Sequence, residues 1–435
     1  MKKLLVLSLA IVMVVAFTLP ASAFESVFGG YWRTRAVLQE NFQGDDDAGA
    51  PGDSGVARVD TRTRLYYTAI LNDNLKLVNK FEWNNVWGDT VGGDYGADGT
   101  GILRIKQSYV DANIGPVRLK MGQHDVLWAR GFIYADEFSG ATVAMKAGDT
   151  LIPATWMKSA EGGTNNNSDD VDVFGIYPVF NFGDAFTLNP FVLYGYSSDA
   201  GARLSTYGAN TVTGGITEDG VSVVWAGANV DATLGSFNLW FTGIYQGGTV
   251  DNATAGADDL DVKAFLAAVG GSVPLGPASL HGQFFYASGD DDPDDSDLEA
   301  YFGIGGGGAG WAYYWSEIMG LGVFDNQFSA GSPNGDVSNI WAANIGATIK
   351  PMEKLSLTGD IWYASLVEDN ALNDNTLGVE VDLAATYQLT EGLSMRVVGA
   401  YLFADDATVD ATSIAAGQSN DDDPYEIGTQ LSLSF

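Results

Sequence analysis

The sequence has 435 residues and a formal net charge of -34 at pH 7. It contains no cysteine and only two histidines. This excludes a disulfide framework, a thiolate metal site and covalent haem attachment, and it argues against catalysis by imidazole. The 55 glycines and the aromatic content of 12% predict many strands joined by turns. We therefore expect an all-β protein that is not an enzyme.

The first 23 residues have the pattern of a secretory signal peptide. Lys2 and Lys3 precede an apolar run over 4–17, and the segment 21–23 is a small-x-small cleavage pattern. The run is short for an anchor that must cross about 30 Å of hydrocarbon. Residues 24–435 form the predicted mature domain, with no later apolar stretch long enough for a membrane helix. Such an exported chain is either a soluble β protein or an outer-membrane β-barrel.

Apolar and polar residues alternate in segment after segment of this domain. In 75–87, 117–124 and 425–435 the apolar side chains share one face of an extended strand and the polar ones share the other. A soluble sandwich also alternates, but it needs a second sheet to cover each apolar face. Aromatic residues near the strand ends favour the girdles of a membrane barrel instead.

The predicted connections between strands alternate between two lengths. The short ones lie at 72–74, 115–116, 148–149, 182–184, 234–235, 274–277, 351–353 and 390–392, and the long ones at 42–57, 90–101, 125–139, 161–168, 199–219, 248–258, 290–337, 368–375 and 405–423. Short periplasmic turns and long extracellular loops are the layout of a transmembrane antiparallel β-barrel, here with 18 strands. Pro153 interrupts the hairpin 140–160, which leaves 16 strands as the alternative.

Most basic residues fall in one part of the chain. Of the 19 Lys and Arg after residue 23, 14 lie before residue 161. Eleven keep to the polar face of the first predicted strands, and we name them the basic wall: Arg33, Arg35, Arg58, Arg62, Arg64, Lys76, Lys80, Arg104, Lys106, Arg118 and Lys120. In a barrel this face lines the lumen, because each cation facing lipid would cost about 2–4 kcal/mol at the midplane. The alternative is the solvated face of a soluble sheet.

The segment 125–140 mixes charged and aromatic residues, unlike the plainly hydrophilic loops. The residues expected to form a constriction are Trp128, Arg130, Tyr134, Asp136 and Glu137. Folded into the barrel, this predicted constriction loop would set Asp136 and Glu137 against the basic wall and create a transverse field in a narrowed pore. An ordinary surface loop is the alternative.

Runs of acidic residues occur in several predicted loops. Candidate calcium ligands are Asp290, Asp292, Asp294, Asp297 and Glu299, because hard cations prefer several oxygen ligands. Their spacing is not that of an EF-hand, so the alternative is a solvated loop that binds divalent cations loosely and bridges to lipopolysaccharide phosphates. No other cofactor is expected, since the glycine-rich segment 303–320 lacks the Lys-Ser/Thr of a phosphate loop.

Residues 58–140 resemble the homotrimeric outer-membrane porins of sulfate-reducing bacteria, through the runs DTRTRLYYTAILNDNLKLVNKFEWNNVWGD and IKQSYVDANIGPVRLKMGQHDVLWARGF. At the C-terminus, Gly428, Leu431, Leu433 and Phe435 resemble the strand that the outer-membrane insertion machinery recognises. The resemblance implies a homotrimer in contact with outer-membrane lipid and lipopolysaccharide.

The same resemblance implies passive diffusion of small hydrophilic solutes and ions through each protomer. No nucleic-acid partner is expected. A channel selective for a sugar or a carboxylate is the first alternative. A barrel that sheathes a partner, such as a haem protein, is the second, and an inward loop would block that partner.

Overall fold

A computed structural model of the protein describes residues 24–41, 55–88, 103–148, 150–161, 170–198, 218–252, 258–292, 295–304, 313–320, 322–324, 337–369, 374–408 and 423–435. The predicted signal peptide, 1–23, lies outside the described residues. Within them, no helix combines the length and the apolar character needed to cross a membrane.

The wall of the molecule is one sheet of 18 antiparallel strands. They are β1 (Glu25–Glu40), β2 (Val56–Asn72), β3 (Leu75–Val86), β4 (Leu103–Ile114), β5 (Val117–Trp128), β6 (Tyr134–Ala147), β7 (Thr150–Ala160), β8 (in two segments, Val171–Ile176 and Phe180–Asn181), β9 (Phe186–Ser197), β10 (Glu218–Leu234), β11 (Phe237–Asn252), β12 (Leu260–Leu275), β13 (Ala278–Ala287), β14 (Ile340–Met352), β15 (Leu355–Leu366), β16 (Thr376–Thr390), β17 (Leu393–Ala404) and β18 (Tyr425–Ser434). A further short segment, Asp297–Leu298, pairs in parallel with β12.

The sheet closes because β1 pairs with β18 as well as with β2. Tyr31 stands opposite Ser434, and Phe435 continues the ladder. Gly30 N donates to Phe435 O over 2.8 Å, and Phe435 N donates to Gly30 O over 3.2 Å. Closure removes the free sheet edges that hydrocarbon does not tolerate. The predicted antiparallel barrel is therefore confirmed.

The hairpin of β6 and β7 belongs to the wall although it contains Pro153. The Pro153 carbonyl accepts a hydrogen bond from Tyr177 N at 3.1 Å. In a strand the nitrogen and oxygen of one residue point to the same side, so the missing N–H of Pro153 faces the interruption between the two segments of β8. The proline thus removes no regular ladder bond, and the alternative of 16 strands is wrong.

The two rims of the barrel differ because short turns alternate with long connections along the chain, as predicted. Gly115 and Gly235 lie in two of the short turns with φ of 62° and 64°. This left-handed region favours glycine, because a Cβ there meets the backbone. Glycine at these positions allows two strands to be joined by a very short turn. One rim of the barrel therefore has short turns, and the other rim has the long connections.

The tip of the β5–β6 hairpin leaves the wall. β5 pairs with β4 only as far as Gln123, and β6 pairs with β7 only from Ser139. The two strands nevertheless stay paired with each other up to Trp128 and Tyr134. We call residues 124–138 the inner hairpin, because its side chains, as described below, contact inward-facing residues of β3, β4, β10 and β11.

The predicted boundaries of the constriction loop were wrong. The connection between β5 and β6 is 129–133, which contains a single 3-10 turn. Of the residues expected in the loop, Trp128, Tyr134, Asp136 and Glu137 lie on strands, and only Arg130 lies in the turn. The pairing of β5 with β6 continues as far as Trp128 and Tyr134, so the backbone stays extended after it leaves the wall.

The long connection between β13 and β14 also enters the barrel. We call its described residues 313–320 and 322–324 the inserted loop. Arg35 of β1 donates to Val323 O over 2.7 Å, and Ser316 donates to Glu380 of β16 over 2.9 Å. A segment that touches such separate strands of a closed wall lies inside it, and the strand faces that it touches are the inner face.

The outer face of the wall is apolar. Met121 of β5 is 55% exposed and Ile345 of β14 is 67% exposed, and both point away from the inner face. Side chains of this kind recur around the barrel, as the lipid-facing band of an outer-membrane protein requires. Inside, by contrast, the barrel is filled by polar side chains and by the two inserted segments.

Candidate functional site in the barrel interior

The strand register places all members of the basic wall on the inner side of β1–β5. Arg33 stands opposite Arg62, Arg35 opposite Asp60, and Arg64 opposite Glu82. The remaining cations follow the same alternation, apart from Lys106, which sits at a register shift between β3 and β4. Period-two spacing predicts the face of these residues wherever a strand is regular, and Lys106 is the position at which the regular register breaks.

Carboxylates on the same face neutralise part of the basic wall. Asp60 accepts two hydrogen bonds from Arg35, at 3.1 and 2.9 Å. Glu82 lies 2.6 Å from Arg64 and 3.6 Å from Arg62. Farther along, Arg118 donates to both oxygens of Asp111, at 2.8 and 2.7 Å. The sequence analysis expects the partners of the cations in the constriction loop only, whereas Asp60 and Glu82 are partners that share the alternation of the cations beside them.

The inner hairpin brings two further carboxylates to the basic wall. Glu137 lies 3.0 Å from Lys80 and 2.5 Å from Lys106, and Asp136 lies 3.2 Å from Lys106. The Glu137 side chain is only 8% exposed, whereas that of Asp136 is 62% exposed. Because the neighbouring strands of the wall do not hold this tip, the hairpin can bend inward and set its acids against β3 and β4.

The turn of the inner hairpin is held on the opposite side of the barrel. Arg130 forms an ion pair with Asp231 of β10 at 2.9 Å and donates to Thr242 of β11 at 3.1 Å. Its guanidinium also lies 5.1 Å from the centre of the Trp240 ring. Arg130 and Ala129 have φ of 59° and 50°, a strained region for residues other than glycine. These contacts stabilise the strained turn.

The inserted loop is fixed by buried carboxylates of β16. Glu380 accepts hydrogen bonds from Ser316 Oγ at 2.9 Å, Ile318 N at 2.6 Å and Met319 N at 2.9 Å. Glu317 N donates to Asp382 at 3.3 Å. The sequence does not reveal this position inside the barrel, because the glycine-rich connection between β13 and β14 has no strand or helix periodicity.

Glu317 connects the inserted loop to β17. Its carboxylate accepts from Arg396 at 3.1 Å and from Val323 N at 2.7 Å. Burial raises the pKa of Glu317 above its usual range, while Arg396 and the Val323 amide oppose this rise. Glu317 is thus a carboxylate that takes up a proton more readily than an exposed one.

The inner hairpin packs on two parts of the connection between β13 and β14, namely residues 301–304 and the inserted loop. Tyr301 donates to Phe132 O over 2.9 Å, and Ile304 N donates to Ile133 O over 2.8 Å. The rings of Phe132 and Tyr313 stack with their centroids 3.9 Å apart. Together these residues form a hydrophobic cluster inside the barrel. The segments that narrow the bore are therefore packed against each other, and we call them together the packed unit.

A cavity of about 870 Å³ lies beneath the inserted loop, toward the rim of short turns. Among the described residues that line it, the carboxylates are Asp184, Asp231, Glu317, Asp360 and Asp382, and the guanidinium is Arg396. His281 contributes a ring nitrogen 2.8 Å from Asp360. Arg130 contacts two lining residues, Asp231 and Trp240. The inner hairpin therefore separates a basic wall from an acidic cavity.

The predicted calcium ligands are not brought together. No group of three or more acidic or imidazole side chains within the described residues is arranged to hold a metal ion. Asp297 instead lies 2.6 Å from Lys263, and Asp294 is outside the described residues. Asp290 and Glu299 have raised pKa values, caused first by burial. Calcium binding stays a prediction.

The residues of the predicted insertion signal lie on or next to β18. Leu431 and Leu433 point outward, opposite Thr34 and Trp32 of β1. Gly428 points inward, and a Cβ there would overlap the ring of Phe324 in the inserted loop. Phe435 is 66% exposed. The absence of a side chain at Gly428 thus leaves space for Phe324 of the inserted loop. This structural role is separate from the recognition role that the resemblance implies.

A closed barrel of 18 strands, with an apolar outer belt and two unlike rims, defines an outer-membrane protein of the porin class. The chain belongs to the alginate export family, whose model matches residues 157–421. No curated protein matches the chain. The predicted localisation in the bacterial outer membrane is confirmed.

Solved porins have a similar fold. OccK8 (OprE) of Pseudomonas aeruginosa is 10% identical, with 94% of this chain and 98% of that chain covered and a TM-score of 0.58. OpdK of Pseudomonas aeruginosa, solved with vanillate, is 12% identical, with 94% and 98% covered and a TM-score of 0.57. A BenF-like porin from Pseudomonas fluorescens Pf-5 is 12% identical, with 94% and 99% covered and a TM-score of 0.56. At these identities the likeness concerns the fold.

Proposed function

We propose that the protein is a passive outer-membrane channel for small hydrophilic solutes and that it prefers those carrying a carboxylate. The observation that carries this proposal is the imbalance of charge on the inner side of β1–β5. Eleven cations of the basic wall face six carboxylates there: Glu25, Asp60, Glu82 and Asp111 on the same strands, and Asp136 and Glu137 on the inner hairpin. An excess of cations along one wall attracts anions into a narrow aqueous path.

The narrow bore supports small solutes. The inner hairpin and the inserted loop are packed on each other and hydrogen-bonded to β10, β16 and β17. A solute that follows the basic wall passes between this packed unit and β1–β5. The same packing argues against a barrel that sheathes a partner protein. The similar protein OpdK was solved with vanillate, an aromatic carboxylate, which agrees with a carboxylate path on this fold.

Export of an anionic polysaccharide is a second candidate function, favoured by membership in the alginate export family. A uronate polymer presents one carboxylate per sugar and could move along the same cations. It would, however, need a continuous opening along the inserted loop, whose carboxylate contacts with Glu380 are buried. We therefore place small carboxylates first.

The discriminating experiment compares permeation in reconstituted membranes. We expect faster liposome swelling with a monomeric uronate than with a neutral hexose, no swelling with a long uronate oligomer, and an anionic reversal potential under a salt gradient. Replacing Lys76 and Lys120 of the basic wall by Gln should reduce the anion preference.

A matched control is Lys350→Gln with Lys354→Gln, which removes the same charge from exposed positions at the rim of short turns. This control should leave the preference unchanged. Equal rates for uronate and hexose, or a cationic reversal potential, would contradict the proposal. Rapid passage of the oligomer would favour polysaccharide export.

We further propose that the protein assembles as a homotrimer and that its C-terminal strand is read by the outer-membrane insertion machinery. Loose binding of divalent cations by the acidic loops, next to lipopolysaccharide, completes the proposed set of partners. These proposals rest on the sequence resemblance and on the acidic composition of the loops.

A further inference from the structure

A row of polar side chains crosses the inner face of the barrel from β5 to β11. Its first part joins β5 to the interruption in β8. His124 Nε2 lies 2.9 Å from Thr142 Oγ1, which lies 2.8 Å from Thr155 Oγ1. Thr155 Oγ1 lies 2.7 Å from the hydroxyl of Tyr177. His124 is 1% exposed, so this series of hydrogen bonds begins at a buried imidazole.

The second part of the row continues to the tip of the inner hairpin. Asn189 Nδ2 donates to Tyr177 O at 3.1 Å, and Asn229 Nδ2 donates to Asn189 Oδ1 at 2.9 Å. Thr242 Oγ1 donates to Asn229 Oδ1 at 2.8 Å and accepts from Arg130 Nε at 3.1 Å. One residue from each strand and the arginine of the turn thus form what we call the polar chain: His124, Thr142, Thr155, Tyr177, Asn189, Asn229, Thr242 and Arg130.

The two ends of the polar chain are the base and the tip of the inner hairpin. His124 directly follows Gln123, the last residue of β5 that pairs with β4. Gly122 has a φ of 127°, and a Cβ there would overlap the carbonyl oxygen of Ser108. His124 Nδ1 lies 3.1 Å from Gly122 O. The imidazole therefore fixes the backbone at the point where β5 leaves the wall, while Arg130 holds the turn at the other end.

The polar chain sets the tautomer of His124. A carbonyl oxygen only accepts, so Nδ1 carries the proton that is donated to Gly122 O. In the neutral ring Nε2 is then an acceptor, and the Thr142 hydroxyl donates to it. Thr155 donates to Thr142 in turn, and Tyr177 donates to Thr155. All three hydroxyl protons point toward His124.

A second proton on His124 does not fit this arrangement. Nε2 would become a donor, so the hydroxyls of Thr142 and Thr155 would both have to reverse. The Tyr177 hydroxyl would then need an acceptor of its own. Its neighbour Trp128, whose ring lies 6.1 Å from the Tyr177 ring, offers an indole N–H that only donates. Because a buried donor without an acceptor is unfavourable, the arrangement fits the neutral imidazole.

The groups packed around His124 leave this choice to the polar chain. β4 presents the ring of Tyr109 at 5.6 Å, and β6 presents the ring of Phe138 at 4.4 Å and the hydroxyl of Thr142. The charges near the imidazole are Lys120 and Asp125 of its own strand, and they act on it in opposite senses. Hydrogen bonding within the polar chain therefore decides which protonation state is accommodated.

We propose that His124 is a pH-sensitive switch that holds the inner hairpin in the bore at neutral pH and releases it in acid. An exposed imidazole gains its proton at about pH 6.5. The stabilisation that neutral His124 gives to the closed arrangement is present above this range and is lost as the pH falls. The hairpin then loses its fixed angle to the wall, Asp136 and Glu137 withdraw from β3 and β4, and the bore widens. This regulation rests on the proposed channel function.

The first test observes the imidazole itself and needs no current. The chain has only two histidines, so His281→Gln leaves His124 as the single imidazole. Nitrogen-15 spectra of the histidine-labelled protein in detergent should show, at about pH 7.5, a proton on Nδ1 and none on Nε2. A proton on Nε2 alone, or a doubly protonated ring at that pH, overturns the proposal.

The second test measures potassium chloride current through single channels at about pH 7.5 and about pH 5. The native conductance should rise and fluctuate more in acid. His124→Gln keeps an acceptor for Thr142 but does not titrate, so its conductance should stay at the neutral level. Thr155→Val interrupts the polar chain at either pH. It should raise the open population at neutral pH at least about tenfold, which is the effect of one buried hydrogen bond left unmade.

The matched control is Thr348→Val, which removes a hydroxyl 3.1 Å from that of Thr358 on β14 and β15. This variant should respond to pH like the native protein, and circular dichroism with heat-modifiable gel migration reports whether each variant folds. Native conductance that is equal at both pH values overturns the proposal. An acid response that persists in His124→Gln also overturns it and assigns the titration to a carboxylate such as Glu137. Absence of current at both pH values would contradict the channel function instead, and the nitrogen spectra would still report His124.

Discussion

Glu137 on the inner hairpin lies 3.0 Å from Lys80 on β3, so a carboxylate of the hairpin neutralises part of the basic wall from inside the barrel. Replacing Glu137 by Gln and Asp136 by Asn should raise the anion preference, because both changes remove negative charge and keep the cations. Reversal potentials in planar bilayers measure this. Glu353→Gln, in an exposed short turn, is the control and should have no effect. An unchanged potential in the double variant would place the solute path elsewhere.

Arg130→Ala should loosen the tip of the inner hairpin. The change removes the ion pair with Asp231 and the contact with Trp240. The expected loss is about 1–2 kcal/mol, because the pair is partly exposed and the cation–π contact adds a similar amount. Larger and noisier single-channel conductance should accompany it. In a double-mutant cycle with Asp231→Ala, additive effects would show that the pair does not hold the tip.

Glu380→Gln should release the inserted loop. A carboxamide has one acceptor oxygen, and its NH2 group faces the donors that Glu380 now satisfies from Ser316, Ile318 and Met319. Each donor left without an acceptor costs roughly 1–3 kcal/mol. We expect a lower free energy of unfolding in urea with lipid present and a higher conductance. Glu391→Gln, exposed in a short turn, supplies the matched control.

Gly428→Val should displace the inserted loop without changing its sequence. A side chain at Gly428 would occupy the place of the Phe324 ring, which is 1% exposed. Limited proteolysis should then cleave the loop in the variant at protease concentrations that spare the native protein. The barrel itself should persist, as judged by circular dichroism. Identical cleavage of both proteins would argue that packing of Phe324 against Gly428 does not hold the inserted loop in place.

Acidification should raise the anion preference through Glu317. Its pKa is raised by burial, so it becomes neutral at a higher pH than an exposed glutamate. The titratable groups that face it are Glu380 and Asp382 of β16, Arg396 of β17 and Asp360 of β15. Protonation leaves Arg396 without its counter-charge and makes the cavity less negative.

The stability linked to Glu317 has a defined sign. Because the pKa is raised in the folded protein, the contribution is present at low pH and is lost as the pH rises through that raised value. Glu317→Gln should therefore remove part of the pH dependence of both the reversal potential and the unfolding free energy. The same pH dependence in native protein and variant would assign the titration to another carboxylate.

Local pattern predicted the wall but not its contents. Alternation over 117–124 identifies the faces of β5 because strand geometry depends on neighbouring residues alone. The position of the inserted loop depends instead on the hydrogen bond from Ile318 N to Glu380, two residues that are 62 positions apart. Neither residue has a local pattern that reveals the other. The sequence does suggest that Asp136 and Glu137 approach the basic wall, because both residues follow directly after the strand that carries Arg118, and their role in a constriction stays a prediction.

The seam between β1 and β18 has a consequence for the order of assembly. Tyr31 and Ser432, which share a 3.4 Å hydroxyl contact across it, are 401 positions apart in the chain. The entropy of joining them grows only slowly with length, by about 0.6 kcal/mol per doubling, so the cost in equilibrium is modest. The effect on the folding rate is larger, because β1 can pair with β18 only after the whole intervening chain has been exported and has folded. Until β1 and β18 pair, the edges of both strands are open to mispairing with other chains. We therefore expect newly exported chains to need a holdase that keeps the chains apart until the barrel closes.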